Sequence, residues 1–123
     1  MADSTELIYI FWTCRDRKEA KKIIRELLDQ RWIACASIFP EIESIYRWNG
    51  NIEESPEVKV ILKSTTAHFH AIQSYIQTHC SYEVPEIVQI AIAGGNPRYL
   101  SWVLEQTTIF VTREDIEEKI TSL

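Results

Sequence analysis

A histidine, a cysteine and a glutamate lie close together at residues 79, 80 and 83, in the stretch "HCSYEVPEI". An imidazole, a thiolate and a carboxylate are donors that tetrahedral Zn(II) or low-coordinate Cu(I) accepts. Free cysteines are equally typical of small buried core positions, and a histidine here could cap a helix end. The stretch therefore indicates either a metal site or the structural start of a strand. The positions of the helices and strands around this stretch decide between a metal site and a structural role.

Composition limits the classes of function. The chain has 123 residues, 46% hydrophobic and 25% charged, which predicts one globular domain over residues 1–123. A net charge of −5 disfavours a nucleic-acid partner, and no apolar run approaches the roughly 20 residues of a membrane span. The three cysteines, Cys14, Cys35 and Cys80, form no C-x-x-C pair. We expect them to be reduced thiols in a cytoplasmic protein.

The hydrophobic pattern alternates between strand and helix periods in the order βαββαβ, followed by a short helix. We expect strands at 6–13, 33–48, 51–64 and 84–93, helices at about 15–31 and 66–79, and a last helix from Pro97. Asp16 with Glu19 predicts an N-terminal cap for the first helix. With right-handed crossovers this order predicts an α+β fold, the ferredoxin-like arrangement with two helices on one face of a four-stranded antiparallel sheet. The core would span 7–107, and 108–123 would form a charged C-terminal tail.

This topology brings distant residues together. The first and fourth strands are expected to be antiparallel neighbours, so the end of the first lies beside the start of the fourth. Cys14 and the segment 79–83 would then meet at one edge of the sheet. The predicted metal ligands are Cys14, His79, Cys80 and Glu83.

The second and third strands form a hairpin that is too long for one subunit. Asn49–Gly50 predicts the turn, and Pro40 predicts a bulge or an edge position. The first arm, 33–48, would extend about 50 Å at roughly 3.3 Å per residue, about twice the length of the first strand. The excess must project from the subunit, and its exposed edges and apolar residues predict oligomerisation.

Several motifs, in order along the chain, resemble those of the CutA family of divalent-cation tolerance proteins. They are "TCRD" (13–16), "WIACASIFP" (32–40), "SIYRWNGNIEE" (44–54), "VILKST" (60–65), "YEVPEI" (82–87) and "GNPRYLSW" (95–102). The resemblance implies a ferredoxin-like subunit in a compact homotrimer and a role in copper tolerance, with copper or another divalent cation as the bound ion. That trimer is similar to the trimer of PII signalling proteins, whose ligands sit in clefts between subunits.

The sequence departs from the family pattern at two positions. Arg15 stands where a proline is usual, and Cys80 takes the place of a usual histidine while His79 precedes it. A thiol in place of an imidazole keeps a soft ligand and shifts the preference toward Cu(I) or Zn(II).

A second set of residues predicts a small-molecule cleft between subunits, because aromatic rings with a few converging charges are typical of such sites. Packing at an interface explains the same residue types equally well. The set is Tyr46, Trp48, Lys63, Tyr82, Glu86, Tyr99 and Trp102.

An enzyme is disfavoured. Glu83 and Glu86 resemble a catalytic carboxylate pair, but on a strand a spacing of three places them on opposite faces. The sequence contains no nucleophile elbow, P-loop or H-E-x-x-H motif.

Overall fold

The structure is a computed structural model, and it describes residues 6–109. Seven elements follow one another: β1 (Leu7–Cys14), α1 (Arg17–Asp29), β2 (Cys35–Trp48), β3 (Asn51–Thr65), α2 (Thr66–His79), β4 (Ile87–Ala91) and α3 (Pro97–Gln106). Most of the predicted tail, 110–123, lies outside the described residues. No helix within residues 6–109 is long and apolar enough to cross a membrane.

The four strands form one antiparallel sheet in the order β2-β3-β1-β4. Together with the element order, this confirms the predicted α+β fold. Alternate residues of β1 point toward the helices, and Ile8, Ile10, Trp12 and Cys14 are all buried there. The core therefore lies between one face of the sheet and the two long helices.

Helix α1 forms because its apolar residues recur at helical spacing and its first turn is capped. Ala20, Ile23 and Leu27 are buried against the sheet. The side chain of Asp16 accepts a 2.9 Å hydrogen bond from the backbone N–H of Glu19. The capping role predicted for Asp16 is therefore confirmed.

The hairpin of β2 and β3 has the predicted turn and bulge. Asn49 and Gly50 both have positive φ angles, 50° and 82°, which a tight hairpin turn requires. The pairing register shifts by one residue between Phe39 and Ile42, so Pro40 lies in a bulge where its missing N–H costs no ladder hydrogen bond. Beyond Cys14, the residues 42–48 and 51–57 pair only with each other. This outer half of the hairpin projects from the subunit.

Strand β4 is shorter than predicted. The expected strand covered 84–93, whereas the observed strand runs from Ile87 to Ala91. Pro85 has no N–H to donate to β1, so regular pairing begins only after it. The segment 80–86 is instead a loop that crosses the end of β1, held by a 3.4 Å bond from the Thr13 N–H to the Glu86 carbonyl.

The second face of the sheet is only partly covered. Helix α3 packs over one end of it, where the Tyr99 hydroxyl bonds to Tyr9 of β1. Val88 and Ile90 of β4 lie on the same face and remain 45% and 44% exposed. An apolar strip of the sheet is thus open in the single chain.

Candidate functional site

A thiol and carboxylate cluster, formed by Cys14, Cys80 and Glu19, lies where β1 ends. The Cys14 sulfur is 3.6 Å from the Asp16 carbonyl oxygen and 3.6 Å from Glu19 Oε2. The same Glu19 oxygen accepts bonds from the backbone N–H and the hydroxyl of Ser81, at 2.9 and 3.2 Å. The Cys80 thiol also contacts the Glu19 carboxylate. Helix α1 therefore supplies the group on which the two cysteines meet.

The ionisation of the cluster follows from its burial. Burial raises the pKa of Cys14 to about 12, and the neighbouring Glu19 charge adds to the rise. The pKa of Cys80 is raised as well, chiefly by burial, although the Tyr82 N–H opposes the shift. Burial would raise the pKa of Glu19 too, but the hydrogen bonds from Ser81 and the two thiols outweigh it, so that pKa is lowered. At pH 7 the cluster holds two neutral thiols around one carboxylate.

The cluster also includes a buried donor that lacks a regular acceptor. The indole Nε1 of the fully buried Trp12 has no hydrogen-bond partner among residues 6–109. It lies against Cys80, where its N–H favours the thiolate form and offsets a small part of the rise in pKa that burial causes. A buried N–H of this kind is costly unless it gains an acceptor. A deprotonated Cys80 would be one.

His79 and Glu83, the other two predicted ligands, point elsewhere. His79 Nδ1 lies 2.9 Å from the Tyr75 carbonyl, and the two rings stack at 3.9 Å, so this histidine closes the end of α2. Glu83 lines a different cavity. Within residues 6–109, no group of three or more His, Cys, Asp or Glu side chains is arranged to hold a metal ion. Of the four predicted ligands, Cys14 and Cys80 are the pair that meets in one chain.

A cavity of about 360 Å³, which we call the hairpin cavity, lies between the projecting hairpin and the 80–86 loop. Four residues of the predicted cleft line it: Tyr46, Trp48, Tyr82 and Glu86. Within the described part of the chain, the lining residues are Thr13, Ser44, Tyr46, Trp48, Glu57, Tyr82, Glu83, Val84 and Glu86.

Glu83 and Glu86 line this same cavity, so the expectation that they lie on opposite faces of a strand was wrong. The residues before Ile87 are loop rather than strand. Alternation of side chains holds only in extended strand, and the turn before β4 brings both carboxylates to one side.

A hydrogen-bonded network forms one wall of the hairpin cavity. The Thr13 hydroxyl donates to Glu86 Oε1 at 2.5 Å, and Lys59 Nζ is 3.3 Å from Glu86 Oε2. The Tyr82 hydroxyl bonds to Glu57, whose side chain is buried. Burial and this bond raise the pKa of Tyr82, which keeps the phenol neutral.

The remaining predicted cleft residues, Lys63, Tyr99 and Trp102, lie away from the hairpin cavity. Lys63 donates to Ser37 and is 3.6 Å from the Cys35 sulfur. Tyr99 and Trp102 stack on each other in α3 at 6.1 Å. Within one chain, the residues of the predicted cleft therefore form two separate groups.

Sequence reasoning missed three contributors to these sites: Glu19, Glu57 and Thr13. Glu19 was expected only to start a helix, because its contact with Ser81 spans 62 positions. Glu57 and Thr13 carried a detectable signal. The alternation of side chains along β1 and β3 places both residues on the face of the sheet opposite the core, as their register partners show. Glu86 lies beside that face.

Comparison with known proteins matches this chain to one family. The model of the family "CutA1 divalent ion tolerance protein" matches residues 8–106. "Protein CutA" of Mus musculus is 38% identical over 97 residues, which are 79% of this chain and 55% of that protein. The match thus spans little more than half the length of the mouse relative.

Bacterial relatives match over most of their length. The "Divalent-cation tolerance protein CutA" of Thermus thermophilus is 38% identical over 95 residues, 77% of this chain and 92% of that protein. The solved structure of the Thermus thermophilus protein superposes with a TM-score of 0.80 at 35% identity and covers 83% of this chain and 99% of that one. Sequence, fold and motif order agree, and the chain belongs to the CutA1 divalent ion tolerance protein family.

Proposed function

We propose that this chain acts in divalent-cation tolerance as a homotrimer, and that it binds copper as Cu(I) through Cys14 and Cys80. The convergence of these two thiols on Glu19 carries the proposal. Thiolate ligands select Cu(I), and a low-coordinate Cu(I) site does not need a third protein ligand. A four-ligand zinc site from one chain has less support, because His79 is bound to Tyr75.

The surroundings of the thiols suit this chemistry. Trp12 supplies a buried N–H beside Cys80 that would stabilise a thiolate. Cys80 is only partly buried, so it offers the approach to Cys14, which is fully enclosed. All three cysteines are free thiols, as a reducing compartment such as the cytoplasm would keep them.

Titration of the reduced protein with Cu(I), in competition with a chromogenic chelator, tests the proposal. Cys80→Ser should lower the Cu(I) affinity by more than about tenfold, because serine keeps the volume and removes the soft donor. Affinity should fall as pH falls, since bound thiols must lose their protons and the pKa of Cys14 is raised to about 12.

Cys35→Ser is the matched control. Cys35 lies on the opposite face of the sheet beside Lys63, so its loss should leave Cu(I) binding unchanged. Equal Cu(I) affinity in the wild type and in Cys80→Ser would reject the copper site. In that case the stretch at residues 79–83 has only a structural role.

The hairpin cavity supports a second candidate function, small-molecule sensing similar to that of PII proteins. The cavity combines exposed aromatic rings with carboxylates, and its volume of about 360 Å³ suits a small ligand. It borders the projecting hairpin, so in the proposed trimer a neighbouring subunit would complete it. Ligand binding there could alter how the subunits pack.

A further inference from the structure

We propose that the hairpin cavity binds a small organic ammonium ion. This inference rests on the second proposed function, to which it adds the chemical class of the ligand. It does not depend on the copper site, whose residues are separate.

The charge of the cavity selects a cation. Among residues 6–109, its lining includes three carboxylates, Glu57, Glu83 and Glu86, and no lysine or arginine. The nearby Lys59 is already bound to Glu86, and its ammonium lies 4.8 Å from the centre of the Phe11 ring. A ligand phosphate would meet uncompensated negative charge here, so a nucleotide is disfavoured.

Glu57 is the strongest single feature. It is only 7% exposed, and it has no cationic partner among residues 6–109. Its carboxylate accepts a bond from the neutral Tyr82 hydroxyl. A carboxylate that is largely removed from water is stabilised by a cation that enters beside it.

The aromatic rings distinguish an organic cation from a metal ion. Tyr46 and Trp48 are 42% and 40% exposed, so their rings can contact a ligand, and Tyr82 lines the same cavity. Ring faces attract alkylammonium groups and bury their methyl or methylene surface. A hard metal ion needs several converging oxygens instead, and the described residues offer no such group.

Calorimetric titration of the full chain with propylammonium chloride and tetramethylammonium chloride tests the inference. The neutral 1-propanol and the anionic ATP serve as ligand controls at constant ionic strength. We expect binding of at least one ammonium ion and none of the alcohol or ATP. Tighter binding of propylammonium would indicate that hydrogen bonds to Glu57 dominate, and tighter binding of tetramethylammonium would indicate that the rings dominate.

Glu57→Gln should weaken ammonium binding by about tenfold or more, because the charge is lost while the acceptor for Tyr82 remains. Trp48→Leu, at an exposed position that should tolerate substitution, should weaken it by about fivefold through loss of the ring. Glu54→Gln is the matched control, since its register partner Ile45 places it on the other face of the same hairpin. Cys80→Ser should also bind normally.

Failure of both ammonium ions to bind would overturn the inference. Binding of ATP in their place would leave small-molecule sensing standing and reject the ligand class, whereas binding of no probe would remove support from both. Ammonium binding that is unchanged in both Glu57→Gln and Trp48→Leu would place the ligand elsewhere, and the inference would fail.

Discussion

Glu19 links the end of β1 and the start of α1 to the loop after α2, which is distant in sequence. Its carboxylate accepts two bonds from Ser81, contacts both thiols, and is 3.6 Å from the Arg15 guanidinium. The sequence suggested a role for Glu19 in starting α1, and that role is local. Its contacts with Ser81 and Cys80 depend on the packing of α1 beside α2, which no local pattern contains.

Glu19→Gln should lower the free energy of unfolding by roughly 1–2 kcal/mol at pH 7, because bonds to a charged acceptor are replaced by weaker neutral ones. The pKa of Glu19 is lowered from its ordinary value of 4.5, so its charge stabilises the folded state above that pH. This stabilisation is lost as pH falls through the lower folded pKa. Denaturant unfolding of both variants should therefore show a gap at pH 7 that closes in acid.

Glu26→Gln provides the comparison for this prediction. Glu26 lies on the same helix and is partly exposed, and its side chain accepts a bond from the Gln30 side chain. Its replacement should change stability by less than about 0.5 kcal/mol at either pH. A gap for Glu19→Gln that persists unchanged in acid would mean that its charge is not the stabilising feature.

Among the elements, the hairpin was predictable because its signals are local. Asn49–Gly50 specifies the turn by its tolerance of positive φ, and Pro40 marks the bulge by its missing N–H. The start of β4 was predicted three residues too early because an apolar pattern continues through Val84. That error had a consequence for the site, since it hid the shared cavity of Glu83 and Glu86.

Gly50→Ala should destabilise the protein by about 1 kcal/mol, because alanine is strained at a φ of 82° although the space around the position is open. Thermal or denaturant unfolding measures the effect. Gly94→Ala is the control, since Gly94 also faces open space and has no positive φ. If the two variants lose equal stability, Gly50 does not have a left-handed conformation in the hairpin turn.

For the whole molecule, element order and periodicity were sufficient to predict the fold, but not the division of the predicted cleft into two groups. Lys63 and Tyr99 lie at the α3 end of the open face, while Tyr46 and Trp48 lie on the projecting hairpin. Their separation depends on how far each hairpin arm extends past β1. A second subunit that packs on the open face could bring the two groups closer, which makes the assembly central to the site.

The trimer is therefore the prediction on which the shared cleft depends. Ile45 and Ile52 lie on neighbouring strands of the projecting hairpin and are 63% and 59% exposed, and Val88 and Ile90 are exposed on the opposite face of the sheet. Exposed apolar residues grouped in this way are typical of an interface between subunits. Light scattering on the wild type should report about three times the chain mass of 14.4 kDa.

Ile45→Asp should shift this mass toward the monomer at micromolar concentration, because burying an unpaired carboxylate in an interface costs several kcal/mol. Leu28→Asp is the matched control, since Leu28 is an exposed apolar residue of α1, 41% exposed and outside the hairpin, and its replacement should leave the mass unchanged. A wild-type monomer would contradict the assembly and leave the hairpin cavity as a site of the single chain. A trimer that tolerates Ile45→Asp would instead show that the subunits meet through the open sheet face, with the hairpin tips free.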